Sequence, residues 1–340
     1  MWRVGSVLKY CLGLSRPERA RIWCSGGAAV NGIVVPAQHV HCRPGDVVEA
    51  WYPEDASSVA PEAELPLDVL YEDEWLLAVN KPAGQLSHPA RRERHGTVAN
   101  AVAARYRSPE AVASPSRETP LPVEPSAPVV EPVRLIHRLD RDTSGLLLFA
   151  RDARTARSLA RQRAAGVLVR EYLALVAGHP PPEGEIDLWL GPDPAHRTRR
   201  TVHPRPAEAR AGPDERLEPA RTRYRVVQYG AQATLVAARL LTGRTHQLRA
   251  HFAGIGHPLV GDALYGGPVS PHIARQALHA WRARLRHPMT DAPLTLIAPP
   301  PSDFAAAARR VLGRANGAER IIRGSSCTSA EDDLRSRIDY

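Results

Sequence analysis

The chain is short of lysine, cysteine and long apolar runs. Of its 45 Lys+Arg only Lys9 and Lys81 are lysines, so its cations are almost all arginine. The four cysteines, Cys11, Cys24, Cys42 and Cys327, form no Cys-x-x-Cys pair. That spacing argues against a zinc ribbon, and so few cysteines in so long a chain argue against a disulfide scaffold. No apolar run approaches the roughly 18 residues that a membrane-crossing helix needs. Met1 to Gly5 opens no extended apolar core of the kind a signal peptide carries, so a cytosolic enzyme is the expectation. What the chain does have is charge of one sign, with 36 Asp+Glu and a formal net charge of +9. Arginine offers a planar fork that matches phosphate and stacks on bases, and a basic chain favours a polyanionic partner. A GC-rich genome also enriches arginine, so the net sign carries more weight than the residue type.

At 340 residues, 43% of them hydrophobic, the chain has length for about two domains and a sizeable core. Residues 1–52 read as a small module, with short helices over 6–12 and 16–24, the second carrying Arg16, Arg19 and Arg21. Strands flank the Asn31-Gly32 turn, and a last strand, Val47 to Trp51, follows the Pro44-Gly45-Asp46 turn. Residues 53–66 read as a linker, 67–312 as the larger body and 313–340 as a flexible tail. Inside the larger body, strands are expected over 68–71, 75–79, 146–150, 171–177, 222–228, 234–241 and 277–285, with a short one at 186–188. Helices are expected over 97–106, 152–165 and 245–253, and Pro-rich loops over 108–132 and 192–219, the first of them disordered.

The chemistry concentrates at residues 137–145, His-Arg-Leu-Asp-Arg-Asp-Thr-Ser-Gly, just before an apolar strand. Asp140 stands there between Arg138 and Arg141. A carboxylate held by guanidinium groups stays charged and can serve as a nucleophile or a base without a metal. The plain alternative is a turn aspartate bonding its own backbone, with Thr143-Ser144-Gly145 as turn chemistry. Asp142 reads as a cap or an ion-pair partner. Three further segments belong with this one: Arg170 to Ala174, with Tyr172 on a strand; Leu241 to His251, which holds Arg244 and Arg249; and Gly256 to Gly266. In the Leu241 to His251 segment, Thr245 is a candidate N-cap, and the helix start would offer free N–H groups to a phosphate. The alternative for Arg244 and Arg249 is an ordinary surface ion pair. His246, His251 and His257 lack the spacing of a metal site, and no metal is expected.

Read in order, these segments resemble the RluA-type pseudouridine synthases. His137-Arg138-Leu139-Asp140 with Thr143-Ser144-Gly145-Leu146 carries the likeness, together with Asn80 to Gly84, the segments around Tyr172, Arg244 and Asp262, Leu278-His279-Ala280 and His287-Pro288. It covers roughly residues 66–305. Gly26-Gly27, Val30-Asn31-Gly32 and Pro44-Gly45-Asp46 resemble, less specifically, an alpha-L RNA-binding domain. The likeness implies an α+β catalytic fold with a mixed, mainly antiparallel sheet and a central cleft. It implies isomerisation of uridine to pseudouridine in RNA, with no cofactor. Asp140 would be the essential carboxylate, Tyr172 would pack on the base as a candidate for proton transfer, and Arg244 would pair with Asp140. Arg138, Arg141 and Arg249, with Arg16, Arg19 and Arg21, are the expected RNA contacts. The uridine would have to flip out of its stack. Large-subunit rRNA is the first expectation for the partner and tRNA the second, with no membrane and a monomeric protein. Two rivals stay open: a non-catalytic RNA-binding protein, which would not need Asp140, and a nucleoside hydrolase, which would release free uracil. Arg151 and Arg170 stand where the family commonly has lysine, and the Pro-rich loops are longer than expected.

Overall fold

The computed structural model describes residues 2–10, 14, 19–20, 22–23, 27–31, 33–36, 38–43, 45–51, 59–90, 93–106, 133–204 and 217–313. Arg16, Arg21, Cys11, Cys24, Cys327, the 108–132 loop, the middle of the 192–219 loop and the tail beyond 313 lie outside the described residues. The chain divides into two compact units, Met1–Ser58 and Val59–Tyr340.

In the first unit, strand β1 (Trp2–Arg3) leads into helix α1 (Val4–Tyr10) and pairs with β4 (His41–Cys42). Strands β2 (Gly27–Val30) and β3 (Ile33–Val35) form a hairpin, and β5 (Val48–Trp51) lies on the other side of β2. Asn31 turns the hairpin with φ +51°. Its amide donates to Asp46 Oδ1 at 2.9 Å and accepts from the Val47 N–H at 2.9 Å, so the two turn motifs of the sequence brace each other. Val4, Leu8, Ile22, Ala28, Val35 and Cys42 form its core. Arg19 donates to the Leu14 carbonyl.

The second unit is built on a mainly antiparallel sheet of eleven strands. These are β6 (Val69–Glu72), β7 (Leu76–Lys81), β8 (Arg134–Leu135), β9 (Ser144–Ala150), β10 (Val169–Ala177), β11 (Glu183–Pro192), β12 (Arg200–His203), β13 (Glu218–Tyr229), β14 (Ala233–Leu240), β15 (Leu278–Arg286) and β16 (Pro293–Ile297). The order is β12-β11-β13-β14-β10-β15-β9-β7-β6, with β16 on β15 and β8 on β9. The mixed α+β class expected from the sequence is what the chain adopts. Strands β9 and β15 run parallel and touch only through Ser144–His279 and Gly145–Ala280, then part, β9 continuing against β7 and β8 and β15 against β10 and β16. Gly145 is essential to this seam. Its φ is +113°, and a Cβ there would stand 2.2 Å from the Ala280 carbonyl oxygen.

Four α-helices join the sheet of this unit among the described residues: α2 (Val98–Arg105), α3 (Ala153–Ala164), α4 (Gln247–Gly254) and α5 (Ser302–Leu312). Thr97 and Asn100 close a reciprocal capping box on α2, and Asp152 caps α3 by accepting the Thr155 N–H at 2.7 Å. Strand β11 runs ten residues where the sequence predicted a short one at 186–188. Its Gly184 and Pro192 look like breakers, yet Gly184 is needed because a Cβ would meet the Tyr224 ring at 2.8 Å. Strands β12 and β16 and helix α5 have no counterpart in the sequence reading. The main core lies between the sheet and α2, α3 and α4, around Leu76, Leu147, Phe149, Leu159 and Phe252. A second core under α5 joins Leu173, Leu235, Trp281 and Phe304. No helix among the described residues is long and apolar enough to cross a membrane.

Candidate active site

Asp140 ends the loop that enters β9, at the seam where β9 leaves β15. The loop is extended, and its residues alternate: His137 and Leu139 point inward, Arg138 is exposed, and Asp140 is half-buried. Almost every neighbour of Asp140 is tied down through its backbone. Ser87 Oγ donates to the Leu139 carbonyl at 2.9 Å and accepts the Leu139 N–H at 3.0 Å. The Arg141 carbonyl accepts from Lys81 Nζ at 2.8 Å and from the Gly84 N–H at 3.0 Å. Arg275 donates to the Asp142 carbonyl at 2.8 Å, and the Thr143 N–H closes a turn on the Asp140 carbonyl at 3.1 Å. A rigid loop of this kind holds a reactive group ready without reorganisation.

Lys81 is the deepest of these anchors. It is 1% exposed, and its three N–H groups meet the carbonyls of Pro82, Gln85 and Arg141 at 2.7, 2.7 and 2.8 Å. Burial pulls its ammonium down to about 7, while the charges of Asp142 and Asp140 pull the other way. The Asn80 to Gly84 segment thus serves the site as a brace for the Asp140 loop.

The cation that reaches Asp140 is Arg249, from the first turn of α4. Its NH1 lies 3.6 Å from Asp140 Oδ2. The rest of its fork is spent on Asp262, with Nε at 2.7 Å from Oδ2 and NH2 at 2.8 Å from Oδ1. The Asp262 side chain is fully buried, and such bidentate pairs are the strong ones. Burial works against the charge of Arg249, but the bonds to Asp262 and the field of Asp262 and Asp140 outweigh it and raise its pKa. Arg249 therefore brings Asp140 a guanidinium already half neutralised and locked in orientation.

This corrects the expectation for Arg244. Its guanidinium pairs with Glu218 at 3.1 Å and donates to the Pro219 carbonyl at 3.2 Å, away from Asp140. The reason is local. Helix α4 begins at Gln247, not Thr245, and its N-cap is His246 in the left-handed region with φ +56°. Gln247 Oε1 accepts the Arg244 N–H at 3.0 Å and the Thr242 hydroxyl at 2.8 Å, which fixes the turn that leads into α4. Arg244 is left half-exposed in this turn, and Arg249 is buried. Of the flanking arginines, Arg141 forms an ion pair with Glu93, its NH1 at 3.0 Å from Oε1, and Arg138 is exposed.

Tyr172 stands on β10 as expected, 4% exposed. Along the cross-strand row it lies between Ala238 of β14 and Ala280 of β15, and Ala280 pairs on with Gly145. Only methyl groups and a hydrogen flank its ring on that row. Burial pushes its phenol up, Arg170 opposes this, and Asp140 adds to it, which puts the two groups within reach of each other's field. His137, buried beneath the loop, has no hydrogen-bond partner at either ring nitrogen among the described residues; burial, then Arg170 and Arg163, hold it well below the ordinary imidazole range. His251 bonds the Thr222 hydroxyl at 3.0 Å and His257 the Ala177 carbonyl at 2.8 Å, so these two are committed to structure. His246, Asp262 and Tyr265 are the site residues to which the sequence reading gave no catalytic part. Tyr265 lies under Arg249, 5.1 Å from its centre, and bonds His246 Nδ1 at 3.2 Å. The signal was the Gly261-Asp262-Ala263-Leu264-Tyr265-Gly266 run, whose acid and phenol are three residues apart and sit in one short 3-10 turn.

Comparison with known proteins adds to this geometry. The family described as RNA pseudouridylate synthase matches residues 75–254. A protein of Nitrosomonas europaea named ribosomal large subunit pseudouridine synthase D is 37% identical over 89% of this chain and 83% of its own length. An uncharacterized RNA pseudouridine synthase of Chloroflexus aurantiacus is 38% identical over 89% of this chain and 87% of its own. The solved structure of human RNA pseudouridylate synthase domain containing 4 is alike in fold, with a TM-score of 0.54 at 22% identity, over 72% of this chain and 92% of that one.

Proposed function

Since the chain belongs to the RNA pseudouridylate synthase family and is an isomerase of that kind, we propose that it converts a uridine of large-subunit ribosomal RNA with Asp140 as the essential carboxylate. The reaction breaks the bond from ribose C1′ to uracil N1, turns the base and joins C1′ to C5. The C5 proton leaves, N1 gains a proton, and nothing is oxidised, reduced or hydrolysed. The observation that carries the assignment is the setting of Asp140: a half-buried carboxylate on a pinned loop, with Arg249 at 3.6 Å and locked by Asp262. Charged and fixed, such a group can attack the sugar or the base, or remove a sugar proton. The target base leaves its stack to reach it, and the Tyr172 ring, flanked by Ala238 and Ala280, is a flat apolar surface to receive it. Relatives named ribosomal large subunit pseudouridine synthase D favour rRNA over tRNA. The first unit is assigned to RNA binding of the alpha-L type, on the strength of its braced Asn31 and Asp46 turns and the net charge of +9 of the whole chain. The protein is expected to work in the cytoplasm as a monomer.

The test is to map pseudouridine chemically in rRNA and tRNA from cells with and without the gene. A large-subunit rRNA site that vanishes with the gene and returns on complementation supports the proposal. A lost tRNA site with rRNA unchanged would reassign the substrate.

A further inference from the structure

Arg249 NH1 carries two N–H bonds, and both of its neighbours matter. One is Asp140 Oδ2 at 3.6 Å; the other is His246 Nε2 at 3.2 Å. A guanidinium can only donate, so Nε2 must present its lone pair. The ring proton of a neutral His246 is then on Nδ1, which faces the Tyr265 hydroxyl oxygen at 3.2 Å. That oxygen also accepts the Arg200 backbone N–H at 2.8 Å. The chain of bonds runs from a strand backbone through Tyr265 and His246 to the one end of Arg249 that Asp262 does not hold. The rings of His246 and Tyr265 meet edge to face at 5.8 Å, and the Tyr265 face lies under the guanidinium. His246 reaches this place through a left-handed backbone, an uncommon conformation for a residue with a Cβ that persists where the surroundings impose it. Burial, reinforced by Arg249, keeps its ring in the neutral form that the geometry requires, against the pull of Asp140 and Asp262.

We propose that His246, seated by Tyr265, is a positioning residue for the isomerisation: it takes up one N–H of Arg249 NH1 and so directs the other at Asp140. The inference rests on Asp140 being the reactive carboxylate. His246 Nε2 stands 3.9 Å from Asp140 Oδ2, beyond hydrogen-bond reach, so it acts on that carboxylate through Arg249. Without its lone pair, Arg249 NH1 has one hydrogen with no fixed partner, and the aim on Asp140 loosens. Hydrogen bonds of this kind are often long in the free enzyme and tighten when substrate is bound.

Steady-state kinetics on an RNA substrate of the wild-type protein, His246→Gly, His246→Gln, Tyr265→Phe and the His246→Gly/Tyr265→Phe double variant test this. Glycine relieves the left-handed backbone, so the loss of the ring is separated from loss of folding. The expected result is a kcat lowered roughly 10–100-fold in His246→Gly, with KM for RNA within about twofold. Glutamine, which can place an acceptor near the position of Nε2, recovers most of the loss. The double variant should be no slower than His246→Gly alone, because the two residues act as one unit. An undiminished kcat in His246→Gly overturns the proposal, as do fully additive losses in the double variant or a failure of glutamine to do better than glycine. A wild-type protein that forms no pseudouridine in rRNA or tRNA overturns the functional assignment; the variant results in an active enzyme bear on His246 alone.

Discussion

Arg244 and Arg249 lie five residues apart in one run, and the sequence cannot say which of them meets Asp140. The difference is made by His246, whose left-handed backbone caps α4 one residue later than the Thr245 N-cap predicts. Nothing in a string of letters marks a non-glycine residue for that conformation, since it follows from what His246 touches. The two arginines should therefore fail differently. Arg249→Ala leaves the fully buried Asp262 carboxylate without a partner and should cost about 3–5 kcal/mol of stability. Arg244→Ala breaks a half-exposed pair with Glu218, for which about 0–1 kcal/mol is the ordinary value once solvent screening is counted. Urea unfolding of the two variants checks this, and equal losses would mean that the Arg249–Asp262 pair is not the anchor. The places of Asp140 and Tyr172 in the fold, by contrast, were legible at the residue scale. One precedes an apolar strand and the other lies within one, and both strands form.

At the scale of elements, the strands with clean apolar runs were legible: β7, β9, β10, β14 and β15 all form where the pattern puts them. Those missed lie where Gly, Pro and charged residues interrupt the pattern. Strand β11 alternates exposed Glu185 and Asp187 with buried Ile186 and Leu190, but its glycines and proline hide the alternation. Helix α5 has Pro301 before it and Gly313 after it, with Phe304 and an alanine run inside, and its Asp303 holds Arg275 at 2.8 Å. Arg275 in turn grips the Asp142 carbonyl, so this overlooked helix helps to hold the Asp140 loop. The seam between β9 and β15 is the element on which the site depends most. Gly145→Ala combines a disfavoured φ with a clash against the Ala280 carbonyl. It should lose about 2–5 kcal/mol of stability and displace Asp140, so that turnover falls further than thermal unfolding alone accounts for. A variant with wild-type stability and activity would show that the sheet closes in another register.

For the whole molecule, the catalytic unit carries buried histidines that the fold keeps neutral. Burial lowers both His251 and His279 to about 4, and His137 well below 6.5. The unfolded chain takes up protons at these sites near pH 6.5, and the folded one refuses them at His251 and His279 until about pH 4. Their contribution is therefore complete above pH 6.5 and is lost as pH falls from there toward 4, at up to about 1.4 kcal/mol per pH unit for each site. Midpoints of urea unfolding measured from pH 7.5 to 5 should decline, above the range in which most carboxylates titrate. A flat profile across that range would mean that these rings are charged in the folded protein.

The central claim is that Asp140, pinned by its loop and faced by Arg249, carries out an isomerisation. Forming a carbon–carbon bond at C5 of uracil expels the C5 hydrogen, so tritium release from RNA labelled at C5 of uridine reports the reaction directly. The wild-type protein should release tritium and no free uracil, and Asp140→Asn should release none while binding the same RNA within about twofold of wild type. Free uracil from the wild type, or turnover by Asp140→Asn at the wild-type rate, would contradict the account.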